Sequence, residues 1–332
     1  MPQDQETAVQ FPVKYRAQLE TLATDLLKGE CLIFLGAGAS VDRASTEDLP
    51  TGEELSKILA EKCNLEWHRY VPLSTTAFYY EFFFTRRKLN ALLKAQIEKP
   101  GIEPSRTIRT LVEIVEMLEQ RNQPVFVVTT NYDRHFETAY RERLGRESHV
   151  VIYRGAEDPN HLKAKLHEGL NFDPEYWYPT GPGTHLYKMH GCISQVNPGA
   201  DEHSLVITEE DYINFLANAM SDDQNKRLAN FVRGRIALST ILFVGYSLSD
   251  WNFRVIFKAT AERVQQRTSY AVQYFSPPDD PKAREREEDR WQASVGFWSR
   301  KNVEIINADA AAFMSHLLDA VRVEAGAKVA LV

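Results

Sequence analysis

The chain has 332 residues, 43% of them hydrophobic and 26% charged, enough to bury a full core as one large domain or two small ones. Its net charge of −7, from 39 basic and 46 acidic residues, argues against strong direct binding of nucleic acid through the overall field. The three cysteines, Cys31, Cys63 and Cys192, form no Cys-x-x-Cys pair and supply neither a disulfide framework nor a four-cysteine zinc module; with no apolar run long enough to enter a membrane, a reducing cytoplasm is the expected compartment.

Taken in order, residues 1–12 read as a polar leader without the features of a cleavable signal. From Tyr15 to Leu27 apolar residues recur at helical spacing, and Lys28-Gly29 ends that helix. Cys31 to Leu35 is an apolar run too short for a helix. It breaks at once into Gly36-Ala37-Gly38-Ala39-Ser40, so it reads as a buried parallel strand feeding a phosphate-binding glycine loop. The glycines are expected to bring backbone N–H groups against a pyrophosphate, with a helix behind the loop offering its positive end. The third glycine of the full dinucleotide fingerprint is absent, since position 41 is Val41. Thr51 with Glu54 predicts a capping box at the start of a helix carrying Leu55, Ile58 and Leu59. Residues 63–122 read as a strand-free helical insertion broken at Pro100-Gly101 and Pro104, and the aromatic cluster Phe78 to Phe84 within it reads as core or interface packing.

Pro124 to Val128 is the next strand, ending in Thr129-Thr130-Asn131-Tyr132-Asp133 before a helix near Arg134. Between Val150 and Thr184 the sequence is irregular, an excursion bearing Tyr176-Trp177-Tyr178 that is expected to cover a site. Leu186 to Met189 is a short strand running into His190-Gly191, followed by helices at about 208–219 and 222–237. Thr240 to Val244 ends in Gly245-Tyr246-Ser247-Leu248-Ser249-Asp250, where Asp250 reads as a helix cap. Alternation continues through a helix at about 251–266, a strand from Tyr270 to Tyr274, a charged helix at about 281–291, a strand from Val303 to Ile306 and a last helix at about 310–323. This order implies an α/β fold, a mainly parallel sheet with helices on both faces, and such sheets bind ligands beyond the carboxyl ends of their strands.

The strand ends Gly36–Ser40, Thr129–Asp133, His190-Gly191 and Gly245-Tyr246-Ser247, in this order, resemble the sirtuin family: its glycine loop, its Thr-Gln-Asn-Ile-Asp signature, its catalytic His-Gly and its Gly-Thr-Ser stretch. The resemblance implies a sirtuin-like Rossmann fold in a single domain over 1–332, with a core at about 30–62 and 123–325 and the helical insertion at 63–122. There are departures. Thr130 stands where the signature has Gln and Tyr132 where it has Ile, the zinc module is missing, and Leu49-Pro50-Thr51-Gly52 lacks the family's Asp-Phe-Arg. They make it look like the divergent prokaryotic branch of the family, whose members resemble NAD-hydrolysing effectors of antiphage defence more than deacylases.

The chemistry of the candidate residues agrees with NAD+ as a substrate. Its nicotinamide–ribose bond already carries a cationic leaving group, so the site needs a stabilised oxocarbenium-like sugar and an oriented nucleophile rather than a general acid. Asn131 offers a neutral amide for ribose hydroxyls or a water. His190 is the candidate base, histidine being the side chain that takes up a proton near neutral pH. Asp133 either faces the nicotinamide ribose or caps the following helix. Ser40 either donates to a phosphate or caps a helix, and Ser247 reads as a ribose or phosphate contact. With them, the resemblance implies cofactor contacts at Gly36, Ala37, Gly38, Thr130 and Gly245, and at Asn307 on the adenine side. The other histidines show no metal-ligand spacing, and no metal is assigned.

The expected function is hydrolysis of NAD+ to nicotinamide and ADP-ribose, as a defence effector gated by assembly. A protein deacylase or ADP-ribosyltransferase, and a non-catalytic module binding NAD or ADP-ribose, are the alternatives. The resemblance implies a homo-oligomer and a separately encoded hexameric ATPase of the HerA type as partner.

Overall fold

The structure, a computed structural model, describes residues 14–42, 49–68, 71–152, 183–219, 230–248, 251–260 and 267–329. In chain order its elements begin with α1 (Arg16–Leu27), β1 (Cys31–Leu35), α2 (Gly52–Lys62), α3 (Leu73–Phe83), α4 (Arg86–Ile97) and α5 (Arg106–Glu119). There follow β2 (Pro124–Thr129), α6 (His135–Leu144), β3 (His149–Ile152), β4 (Gly183–Lys188), α7 (Glu209–Ala219) and α8 (Asn230–Leu238). The last are β5 (Thr240–Val244), α9 (Trp251–Thr260), β6 (Ser269–Gln273), α10 (Pro281–Ser299), β7 (Val303–Asn307) and α11 (Ala310–Val329).

The strands form one sheet in the order β3-β4-β2-β1-β5-β6-β7, and every pairing is parallel. A strand buried on both faces needs apolar side chains in both directions of its period-two alternation. In β1, Cys31, Ile33 and Leu35 enter a core with α1, α5, α6 and α11, whereas Leu32 and Phe34 enter one with α7, α8, α9 and α10. A third, smaller core joins Leu55 and Leu59 of α2, Ala77 and Tyr80 of α3, and Leu89 and Leu93 of α4 to Ile193, Val196, Leu205 and Ile207. Within the 63–122 segment, therefore, α3 and α4 pack beside the carboxyl ends of the strands, while α5 lies on the sheet with α6 and α11.

Local signals explain the helix ends. Thr51 and Glu54 form the capping box, with Glu54 N–H bonding to Thr51 Oγ1 and Thr51 N–H to Glu54 Oε2. The Ser105 hydroxyl caps α5 by accepting Ile108 N–H and itself donates to Ala39 O in the glycine loop. Among the described residues no helix is long and apolar enough to cross a membrane.

Two expectations need correction. His149–Ile152 is a strand, β3, paired with β4 at the sheet edge, where irregular chain was expected; its apolar run is only three residues long and lacks the flanking pattern of a longer strand. Behind the glycine loop the chain makes a single 3-10 turn, Ala37–Ala39, and α2 starts only at Gly52, so no helix follows Ser40 directly. The leader, Tyr176-Trp177-Tyr178, Asp250 and the start of the helix expected from 222 lie outside the described residues.

Strand order reverses about β1, with β2, β4 and β3 on one side and β5, β6 and β7 on the other, which opens a crevice at its carboxyl end. The glycine loop fills that point by pressing against the turn after β5. Gly36 N–H bonds to Val244 O at 3.0 Å and Gly38 N–H to Gly245 O at 2.9 Å. A Cβ on Gly36 would sit 2.5 Å from Tyr246 Cα, and one on Gly245, at φ +62°, 2.0 Å from Ala39 N. These contacts are to backbone and cannot be relieved by a side-chain rotation. Gly245→Ala is therefore expected to lower stability by at least about 3 kcal/mol, read as a shift in the urea midpoint. An unchanged midpoint would show that the two turns can part at no cost.

Candidate active site

Where β1, β2 and β4 end, a cavity of about 140 Å³ is lined by Ala37 and Ser40 of the glycine loop, Thr130 to Asp133, His190, Tyr212 and an apolar wall that includes Leu55 of α2, Leu73 of α3 and Ile97 of α4. Asn131 is 8% exposed, and its Nδ2 donates to Gly36 O at 3.0 Å and to Ser40 Oγ at 3.1 Å. Because a backbone carbonyl can only accept, the amide must face Gly36 with its nitrogen. Oδ1 then remains as an acceptor with no partner among the described residues. Asp133 is held at both oxygens: Oδ2 accepts the Ser40 hydroxyl at 2.9 Å and Oδ1 accepts His135 N–H at 2.9 Å at the start of α6. Asp133, Ser40 and Asn131 thus form one hydrogen-bonded chain, in which Asp133 fixes Ser40 and Ser40 fixes Asn131.

His190 follows β4 and is buried, with its ring edge-on to Tyr212 (5.1 Å) and Phe215 (5.5 Å) of α7. Its carbonyl accepts Val206 N–H at 3.0 Å, and the Tyr132 hydroxyl donates to Val206 O at 2.7 Å, so the segments after β2 and β4 share one strap. Gly191, at φ +88°, lets that strap pass, since a Cβ there would lie 2.3 Å from Ser204 O. Beneath the cavity is a pair that sequence reasoning missed. Lys188 of β4, 1% exposed, donates to Asp133 O and reaches Glu137 Oε1 of α6 at 3.3 Å. Burial alone would lower the Lys188 pKa, but the charges of Glu137 and its other neighbours outweigh it and the pKa is raised, so the ammonium keeps its proton. A lysine inside the otherwise apolar run Leu186 to Met189 was the available signal.

A second cavity, about 340 Å³, opens on the other side of the glycine loop and is lined by Gly38, Asp42, Gly245, Ser247, Tyr274, Trp291 and Asp309, among others. Gly38, Gly245 and Ser247 therefore belong here, while Ala37, Ser40, Thr130, Asn131, Asp133 and His190 line the first cavity and Gly36 stands behind Asn131. Asn307 ends β7 outside the lining of either cavity, and its Oδ1 accepts Phe275 N–H at 2.9 Å. The expected amide cradle is largely committed within the protein. The N–H groups of Gly36, Gly38, Ala39 and Ser40 bond to Val244, Gly245, Gly36 and Ala37 carbonyls. Arg106 grips Asp42 in two hydrogen bonds, at 2.9 and 3.1 Å. Among the described residues no group of three or more His, Cys, Asp or Glu side chains is placed to hold a metal ion.

Helix α7, which carries Tyr212 and Phe215, is anchored by a buried ionic cluster. Arg86 of α4 donates to Asp211 Oδ2 at 2.7 Å, to Glu81 at 3.1 Å and to Leu205 O at 2.9 Å. Asp211 Oδ2 also accepts Ile207 and Thr208 N–H, and His203 Nδ1 lies 3.0 Å from Asp211 Oδ1. Burial alone would raise the Asp211 pKa; the His203 hydrogen bond and the Arg86 charge override it and hold the carboxyl at about 2. The His203 pKa is raised, chiefly by its hydrogen bond to Asp211, against burial and the Arg86 charge.

Residues 125–306 match the family described as SIR2-like domain. Two curated relatives are Defense-associated sirtuin 2 of Bacillus subtilis, 27% identical over 186 residues (56% of this chain, 14% of that protein), and NAD(+) hydrolase ThsA of Enterococcus faecium, 27% identical over 250 residues (74% of this chain, 43% of that protein). The chain thus spans less than half the length of either relative. A solved structure described as "Structural Basis for the Mechanism and Regulation of Sir2 Enzymes" aligns over 93% of this chain and 98% of its own at 15% identity, with a TM-score of 0.43.

The anchor of α7 has a pH signature. A raised His203 pKa stabilises the fold in full below the ordinary histidine value and is lost as pH climbs through the raised one. The depressed Asp211 pKa acts at the other end, stabilising above the ordinary carboxylate value and fading as pH falls towards 2. Urea midpoints at pH 5.5 and 8.5 should show the wild type losing stability at the higher pH and His203→Gln losing less of it.

Proposed function

The chain belongs to the family of SIR2-like domains, and on that premise we propose that it binds NAD+ and hydrolyses it to nicotinamide and ADP-ribose, as a defence effector that acts by NAD+ depletion. The observation that carries this reading is the Asn131 amide, pinned through both its N–H groups with a buried acceptor left unpartnered among the described residues, in a side chain that lines the same cavity as His190. The glycine loop lies between the two cavities, so a dinucleotide laid across it would put its reacting half beside Asn131 and its other half beside Gly245 and Ser247. The names of the two curated relatives point the same way.

As the C–N bond breaks, its electron pair leaves with neutral nicotinamide and positive charge develops on the ribose. Asn131 Oδ1 accepts a hydrogen bond from the incoming water or a ribose hydroxyl without adding a full negative charge that would trap the cation. His190 takes the proton the water loses on attack, so NAD+ and water give nicotinamide, ADP-ribose and H+. The edge-on rings of Tyr212 and Phe215 keep the imidazole from turning away. We assign Asp133 a positioning role, because it holds Ser40, which in turn holds Asn131.

Purified protein in its assembled state should release nicotinamide from NAD+ whether or not an acetyl-lysine peptide is present. Release that requires the peptide would make it a deacylase, and tight binding without release a binding module. His190→Ala and Asn131→Ala should each lower kcat by about 10²- to 10⁴-fold with modest effects on NAD+ affinity. Near-normal turnover in either variant would remove that residue from the mechanism.

Gating by self-association is the second half of the proposal. On α3, Phe78, Tyr79, Phe82 and Phe83 stand exposed, Phe82 at 74% and Phe83 at 53%, as two adjacent stacked pairs, Phe78 on Phe82 and Tyr79 on Phe83. Aromatic side chains presented in this way suit an interface. An ATPase as activating partner rests on the sirtuin-family resemblance alone. Light scattering should give a mass well above the 38.0 kDa of one chain. A strict monomer with full hydrolysis would remove both the oligomer and its gating.

A further inference from the structure

We propose that Trp291 of α10 is the stacking platform for the purine base of the dinucleotide, an inference that rests on the NAD+ reading above. The second cavity runs across the ends of β1, β5, β6 and β7, from the glycine turns at Gly38 and Gly245 to Tyr274, Ala308 and Trp291. Strands lie about 4.8 Å apart, so a cavity crossing four strand ends is long enough for more than a phosphate. One end offers backbone and the Ser247 hydroxyl. The other offers a planar indole with Val272, Ala308, Ala310 and Ala311, an apolar slot suited to a flat heterocycle.

The indole is braced for that role. Phe275 lies against it with ring centroids 5.0 Å apart and only 11° between planes. Phe275 is itself tied to the end of β7, since Asn307 Oδ1 accepts its N–H. A base entering the cavity would extend an existing two-ring stack rather than order a loose side chain, which spares the entropy of fixing a rotamer. Asn307, read from the sequence as an adenine-side contact, thus acts through Phe275 instead of touching the ligand.

The choice of half-site follows from the chemistry. Asn131 and His190 line the first cavity, so the ring that leaves belongs there, and the base that remains on ADP-ribose belongs with Trp291. Asp42 and Asp309 line the same cavity and suit the hydroxyls of the adjoining ribose as acceptors.

The test titrates the full chain with ADP-ribose by calorimetry, using wild type, Trp291→Ala and Trp291→Phe. Loss of a base–aromatic stack should weaken ADP-ribose binding roughly tenfold in Trp291→Ala, and Trp291→Phe should stay within about threefold of wild type. The KM for NAD+ should rise by the same factor with kcat nearly unchanged, because the base lies far from the bond that breaks. Binding should also quench the fluorescence of etheno-ADP-ribose in the wild type and not in Trp291→Ala. Should Trp291→Ala fail to fold, Trp291→Phe and the wild-type quenching decide. Equal affinity in wild type and Trp291→Ala, or an unquenched ethenoadenine in the wild type, overturns the platform and leaves the NAD+ reading standing. A wild type that binds neither NAD+ nor ADP-ribose overturns both.

Discussion

Two glycine turns pressed backbone to backbone hold this architecture together at its active end. Gly36 and Gly38 after β1 meet Gly245 after β5 so closely that a single added methyl would overlap main-chain atoms. The contact fixes more than the two strands it joins. Gly36 O orients the Asn131 amide, and Ala39 O receives the hydroxyl of Ser105, which caps α5. One backbone crossing therefore sets the pose of the central side chain and the start of a helix on the sheet. The Gly36 and Gly38 amides are committed to that crossing and those of Ala39 and Ser40 to carbonyls within the loop, so a bound anion meets few bare N–H groups there, and side chains must supply much of the recognition.

The sheet was legible because an all-parallel sheet buries both faces of its strands, and runs such as Cys31 to Leu35 and Thr240 to Val244 are apolar without interruption. Strand β3 was not, since three apolar residues at an edge carry too little pattern. The glycine pair was legible as a close approach, but local sequence does not say whether the approaching partner is a ligand or another backbone, and here a backbone takes the place. Side-chain pairs distant along the chain left weaker traces. Lys188 with Glu137 and Arg86 with Asp211 are separated by 51 and 125 residues, and nothing local names the partner. A buried cation is itself the clue, because an uncompensated charge in a core costs several kcal/mol and demands an acceptor.

The role of Asp133 shows the same limit at short range. The choice between capping and substrate contact could not be made from Thr129 to Asp133 alone, because the deciding group is Ser40, on a different strand end. Ser40 donates to one carboxylate oxygen and His135 N–H to the other, so the aspartate both ties down the start of α6 and, through Ser40, stiffens Asn131. On the NAD+ reading proposed above such bracing matters, because an acceptor aimed before the substrate arrives needs no reorganisation as charge develops.

The segment that matches the family, residues 125–306, contains Asn131 and His190 but begins after the glycine loop and after α2, α3 and α4. Much of the first cavity comes from that earlier part of the chain, including Ala37, Ser40, Leu55, Leu73 and Ile97. Asn131 and His190 on one hand and much of the cavity wall on the other thus come from different parts of the chain. Among the contacts that couple them is a buried ion pair: Arg86 of α4 holds Asp211 in the first turn of α7, and the same helix places Tyr212 and Phe215 against the His190 ring. Breaking that pair would strip a buried carboxylate or guanidinium of its nearest counter-charge, leaving Asp211 with His203 alone or Arg86 with Glu81 alone, at a cost of up to about 3–5 kcal/mol. The position of the His190 ring therefore depends on α4, a helix outside the segment that carries it.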